Sequence, residues 1–286
     1  MFASDLTVAI AVMSIACAAT VLITARLTSK LGGQKTMLCL AAATLAMIYF
    51  LFYATGQLFW AKLVPHSAAI IYTNFACLFA AVATGAVWRL PNTPRWRRGI
   101  LAVALSGGTI IIVFWPLLSI ALRPPQPGSA QWKDGVALQT TWANCSPAAA
   151  ATLLRAEGIA VTEADMVPVC LTDASGTPTL GLYRGIKLVA QRHDAAVEVV
   201  DSNLSRLLAE DDWPVLLAVK LPYGVDDRRY ADQWGWIPGM GHSVVALGRG
   251  PGGDGILIGD PSRGLEIWAE NDLQILWHGK GIRLTD

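Results

Sequence analysis

The chain has 286 residues, of which 53% are hydrophobic and 15% charged, with a formal net charge of +1 and a mean hydropathy of +0.44. Ordinary soluble domains carry about 25% charged residues, so this is not a disordered polymer rich in net charge, nor a nucleic-acid binder built on bulk positive charge. The length allows about two domains of roughly 100–200 residues each.

The near-neutral total is a cancellation. Residues 1–123 carry nine basic side chains and one acidic one, Asp5, for +8, and residues 124–286 come to −7. The break falls at Pro124-Pro125-Gln126-Pro127-Gly128-Ser129, a stretch that cannot continue a helix and reads as a short, stiff linker. Two domains bathed in different solvents are expected: 1–123 as a membrane domain, 124–129 as linker and 130–286 as a soluble domain.

Four apolar runs in the first half, about 6–25, 37–55, 67–88 and 99–122, contain no Lys, Arg, Asp or Glu. Each is long enough for a helix to cross a hydrocarbon core, which takes about 20 residues. The loops set the orientation. Arg26, Lys30 and Lys35 lie in the first loop and Arg89, Arg95, Arg97 and Arg98 in the third, against Lys62 alone in the second. Basic short loops stay in the cytoplasm, which puts the N-terminus and everything after the fourth span outside the cytoplasm of a bacterial inner membrane. The first span lacks the basic flank of a signal peptide, and Cys17 sits mid-run without the flanks of a lipidation site. With no ionisable residue inside a span, ion transport has little support. The membrane half reads as an anchor in the bilayer, with binding of other membrane proteins left open.

In the second half a helix is expected from Cys145 or Ser146 to Glu157, stopped by Gly158. Thr162-Glu163-Ala164-Asp165 opens a second helix with its cap, Gly181–Arg192 forms a third and Ser202–Glu210 a short fourth. Strands follow at Val215–Val219, Ser243–Leu247, Ile256–Ile258, Leu265–Trp268 and Ile282–Leu284, giving an α+β order with an antiparallel sheet. Gly248, Gly250 and Gly253 match a dinucleotide-binding spacing, but the strand that follows makes Gly250–Gly255 a hairpin turn.

Cys145 opens a helix, where free N–H groups and the helix dipole favour a thiolate. Gln139, six residues earlier, carries an amide able to donate to an oxyanion. His242 opens a strand and Asp260 ends the next, so neighbouring antiparallel strands bring them side by side as base and orienting group. A Cys145–Cys170 disulfide is the competing reading of the two soluble-half cysteines on an oxidising face. The segment 221–241, with Tyr223, Tyr230, Trp234 and Trp236, reads either as a substrate-binding lid or as a solvated loop with aromatics packed beneath it.

Gln139-Thr-Thr-Trp-Ala-Asn-Cys145-Ser-Pro resembles the Gln-x5-Cys motif of papain-like cysteine peptidases. Gly241-His242-Ser-Val-Val, Ile258-Gly259-Asp260-Pro261 and Gly176-Thr-Pro-Thr-Leu-Gly-Leu182 are similar to motifs of the C39 branch, the bacteriocin-processing peptidases. The resemblance covers about residues 130–286. It implies a papain-like α+β domain with a helical lobe bearing Cys145 facing a sheet lobe bearing His242 and Asp260. Cys145 is then the nucleophile, His242 the base, Asp260 its orienting group and Gln139 the oxyanion donor, acting on a peptide or protein substrate. Cofactors and metals are not expected, since His66, His193 and His278 form no ligand cluster with His242. Asn144-Cys145-Ser146 stands where the family often has Asp-Cys-Gly, so the local turn differs; because four spans precede the domain and the topology puts it outside, double-glycine specificity is left open. Two alternatives remain, a thiol amidase or transferase on the same scaffold and a non-catalytic, membrane-tethered peptide-binding module.

Overall fold

The structure is a computed structural model that describes residues 4–285; residues 1–3 and 286, the outer ends of the two expected domains, lie outside the described residues. The chain divides into two compact units. The first holds residues up to Trp60 together with Ala68–Leu122, and the second holds Ala61–Ser67 and everything from Arg123.

The first unit is helical. Four segments, Ser4–Thr28, Gly33–Ala54, Ala69–Val87 and Arg95–Leu122, are long and apolar enough to cross a membrane. They comprise α1 (Ser4–Thr28), α2 (Gly33–Tyr49) with a wide turn to Ala54, the pair α4 (Ala69–Tyr72) and α5 (Ala76–Val87), and α6 (Arg95–Leu122); a short α3 (Phe59–Leu63) lies between the second and third. The third segment breaks at residues 73–75. There Asn74 donates its side-chain amide to the Ile112 carbonyl at 3.3 Å, an acceptor that Pro116, four residues on and without an N–H, leaves unused in α6. Small residues let α5 sit in the middle of the bundle: Ala76, Ala80, Ala81, Ala83, Gly85 and Ala86 are all buried. A Cβ at Gly85 would come within 2.6 Å of the Val21 carbonyl of α1, so this crossing requires glycine.

The second unit begins with a two-residue hairpin, β1 (Trp132–Lys133) and β2 (Val136–Ala137). Helix α7 (Cys145–Ala156) follows, its alanines Ala148, Ala149, Ala150 and Ala151 fully buried and Gly158 just beyond it at φ +77°. Alanine is the best helix former and leaves little bulk, so α7 can lie close to the sheet. Helix α8 (Glu163–Val169) carries the expected capping box between Thr162 and Asp165. Helix α9 (Thr179–Ala190) begins two residues before the predicted Gly181, directly after Pro178, whose fixed φ suits a helix entry.

The remaining elements are β3 (Ala196–Asp201), α10 (Leu204–Glu210), β4 (Val215–Lys220), β5 (Gly241–Arg249), β6 (Ile256–Asp260), β7 (Gly264–Trp268), α11 (Glu270–Leu276) and β8 (Trp277–Thr285). Six strands form one antiparallel sheet in the order β3-β8-β4-β5-β6-β7. Strand β3 and helix α11 were not predicted. Strand β3 is too rich in exposed positions to show an apolar run, and its partner β8 lies about 80 residues later. Strand β4 is apolar from Val215 to Val219 because both faces are covered: Val215, Leu217 and Val219 join a core with Val244, Ile258 and Trp268, while Leu216 is buried on the opposite side.

Cys145 and Cys170 are both free thiols, so the disulfide reading is wrong. The Cys170 sulfur is fully buried against Gly185 of α9, in space that a Cβ would take. Gly185→Ala is therefore expected to destabilise the protein by about 1–3 kcal/mol through overpacking, and adding Cys170→Ala is expected to recover most of it. Thermal unfolding of the full chain in detergent reads both effects.

Candidate active site

Strands β5 and β6 are joined by the glycine-rich turn and pair with Val245 opposite Gly259. Continuing that register sets Asp260 opposite Val244, which makes His242 its diagonal neighbour on the same face. The side chains meet: His242 Nε2 is 2.9 Å from Asp260 Oδ1. A carboxylate only accepts, so Nε2 carries the proton and Nδ1 is left for another partner. The Cys145 thiol lies close enough to the His242 ring for each group to shift the other's ionisation. The structure thus brings Cys145, His242 and Asp260 together across 115 residues of sequence.

Asp260 is 3% exposed, and the same Oδ1 also accepts from the Ser262 backbone N–H and hydroxyl, each at 2.7 Å. Burial pushes the Asp260 carboxyl up, but the bonds from His242 and Ser262 outweigh it and hold it below the usual carboxylate range. Burial also opposes charge on His242, yet the bonds to Asp260 and Cys145 raise it to about 10. For Cys145, burial works against ionisation; the His242 hydrogen bond and charge, the Ser146 hydroxyl and the Ser243 backbone N–H prevail, and the thiol lies below its ordinary value. The thiol also sits at the first residue of α7, where no side chain caps the free N–H groups. A thiolate facing an imidazolium is the state these groups favour together.

Gln139 is held from the other side. Its backbone N–H donates to the carbonyl of Pro261, the residue after Asp260, at 2.9 Å. Its side-chain oxygen is buried without a hydrogen-bond partner, and the side-chain amide makes no hydrogen bond among the described residues. Behind this loop stands Glu163, 1% exposed. Its Oε1 accepts from the Thr140 N–H at 2.8 Å and hydroxyl at 3.0 Å, and its Oε2 from the Ser129 N–H at 2.7 Å. Thr140 in turn accepts from the Asn144 amide at 2.9 Å. One carboxylate therefore braces the linker end and the loop carrying Gln139 up to the residue before Cys145.

Segment 221–241 is a packed cover. Tyr230 is fully buried and donates to Asp272 at 2.7 Å, and Trp234 stacks on Trp268. Trp236 sets its ring edge-to-face with His242 at 5.4 Å. The Gly239 N–H closes the base of the loop on the Leu221 carbonyl at 2.8 Å, while Tyr223, Ile237 and Met240 remain exposed. Sequence reasoning missed Glu163, Ser146, Ser243 and Ser262 at this site. Glu163 was visible only as a helix-opening residue, and the serines carry no periodic signal.

No protein-family model matches the chain, and no curated protein does. Among solved structures it is similar to the peptidase domain of Streptococcus ComA, a bi-functional ABC transporter of a quorum-sensing pathway, at 19% identity over 52% of this chain and 96% of that one, with a TM-score of 0.41. It is similar to a double-glycine-motif protease from an AMS/PCAT transporter in complex with its leader peptide, at 17% identity over 57% and 96%, TM-score 0.41. It is also similar to the peptidase domain of Streptococcus mutans ComA, at 19% identity over 53% and 99%, TM-score 0.36.

Glu163→Gln places an amide where backbone N–H groups now find an acceptor. The buried mismatch is expected to cost about 1–3 kcal/mol, read as a lower midpoint in thermal unfolding of the full chain.

Proposed function

We propose that the chain is a thiol hydrolase of the papain-like type, and more particularly a membrane-anchored C39-like peptidase acting on an exported or membrane-associated peptide. The observation that carries this reading is the His242 imidazole, hydrogen-bonded to Asp260 and electrostatically linked to the Cys145 thiol.

In this reading the Cys145 thiolate attacks the peptide carbonyl carbon. A C–S bond forms and the carbonyl π electrons move onto oxygen. The Gln139 side-chain amide and the Cys145 backbone N–H receive that oxyanion. His242 then protonates the leaving nitrogen, the C–N bond breaks and a thioester remains. A water enters and gives His242 its proton as its oxygen attacks the thioester. The C–S bond breaks, which restores thiolate and imidazolium. Asp260 holds the ring and balances its charge throughout. In this reading the four apolar helices tie the chemistry to a bilayer, and the basic residues of the first and third loops support an extracytoplasmic side for it.

The pH profile follows from the directions of the shifts. Activity rises as Cys145 loses its proton, below the ordinary thiol range, and falls as His242 loses its proton at about 10. Cleavage of a peptide pool by the full chain is expected to follow that bell. Cys145→Ala is expected to abolish it, Asp260→Asn to lower kcat/KM by about 10²–10⁴-fold, and Gln139→Ala by about 10²–10³-fold. A peptide aldehyde should label Cys145; labelling unchanged in His242→Ala would sink the proposal. Topology has its own test. Cys170 is buried, with its thiol pushed up to about 12 by that burial, so Cys145 is the soluble-unit thiol to follow. A membrane-impermeant maleimide added to intact spheroplasts is expected to modify Cys145, and a requirement for lysis would reverse the orientation.

A further inference from the structure

Cys145 and His242 stand on different elements, and each is followed by a serine: Ser146 in the first turn of α7 and Ser243 in β5. The two hydroxyls meet at 2.8 Å. Both residues are buried, 8% and 5% exposed, where a hydroxyl without a partner is costly. The Ser146 hydroxyl also lies 3.9 Å from the Cys145 sulfur.

Donor chemistry orders this chain of groups. A thiolate has no proton to give, so in the charged state Ser146 must donate to the sulfur. Its oxygen then accepts, and the proton between the two hydroxyls comes from Ser243. The hydroxyls need only rotate; no proton leaves either oxygen. Alternation along β5 explains the arrangement: His242 faces the side of Val244 and Ala246, which sends Ser243 to the opposite face, where Ser146 meets it.

We propose that Ser243 and Ser146 form a two-hydroxyl relay that ties the nucleophile helix to the base strand and stabilises the charged Cys145 sulfur, with Ser146 touching the reacting atom and Ser243 acting as a positioning residue. The proposal rests on the reading of Cys145 as a nucleophile. It separates cleanly from a packing role. If the hydroxyls merely satisfy one another, removing either orphans its partner, and removing both removes the demand. If they serve the sulfur, the double variant stays as impaired as Ser146→Ala alone.

The test is the pH dependence of Cys145 alkylation by iodoacetamide in the full chain in detergent, read by mass spectrometry of the Cys145 peptide. Ser146→Ala is expected to raise the midpoint by about one pH unit, which is an alkylation rate about tenfold lower on the acid limb. Ser243→Ala is expected to shift it the same way by less, and the double variant to match Ser146→Ala. A Ser146→Ala midpoint equal to wild type, or a double variant that returns to wild type, overturns the relay. Should Ser146→Ala not fold, as judged by thermal unfolding, a Ser243→Ala profile equal to wild type overturns it. His242→Ala isolates the underlying reading: an unchanged profile there removes the nucleophile–base pair itself, whereas a raised midpoint with no effect of the serine variants removes the relay alone.

Discussion

One imidazole ring has to meet two partners from different parts of the chain. His242 gives Nε2 to Asp260, and its ring also interacts with the Cys145 thiol. The Asp260 contact is local, made by two strands of one hairpin. The Cys145 contact is not, because it depends on where the first turn of α7 lies against the sheet. Much of the unit's packing serves that placement. The buried face of α7 is alanine, and Gly259 of β6 leaves room for Val136 and Thr152, which a Cβ would meet at 3.1 and 3.3 Å. Thr152 in turn accepts the Ala137 N–H at 2.9 Å, fastening the helix to β2.

Charge at such a buried place is stable only when each ion is surrounded by partners. Asp260 meets that condition through three donors on one oxygen. Cys145 meets it through His242, the Ser146 hydroxyl and the Ser243 N–H. Glu163 does comparable work one layer back, where it holds the loop that presents Gln139. The buried carboxylates Asp260 and Glu163 are thus each enclosed by N–H and O–H donors, and neither is left to solvent.

The first unit distributes its apolar residues differently. Its apolar side chains face outward along α1, α2 and α6, while small residues gather on α5, the reverse of the second unit, whose large apolar residues are inside. That is the pattern expected of helices long and apolar enough to cross a membrane, which associate through close backbone approach, as at Gly85. The +8 and −7 that cancel in the whole chain therefore belong to two surfaces built on opposite rules.

Whatever depends on near neighbours could be read from the chain. Uncharged runs of about 20 residues mark the four helices long and apolar enough to cross a membrane, because a helix satisfies its backbone within one segment. The capping box at Thr162, the stop at Gly158 and the hairpin turn between β5 and β6 each rest on a few adjacent residues, and that hairpin already sets His242 beside Asp260. Contacts between distant residues could not be read. Strand β3 is held by β8, Ser146 finds Ser243 across 97 positions, and Glu163 reaches Thr140 across 23. Strand pairing within the sheet makes the first contact, packing of α7 on β5 the second and packing of α8 against α7 the third, and nothing in the local spacing of apolar residues encodes any of them. Residue type and local order alone determined the spans, the local helices and the hairpin. Tertiary structure decided which thiol meets the imidazole and which stays buried, because only the packed core sets one cysteine at a helix end beside a strand and the other against a glycine inside.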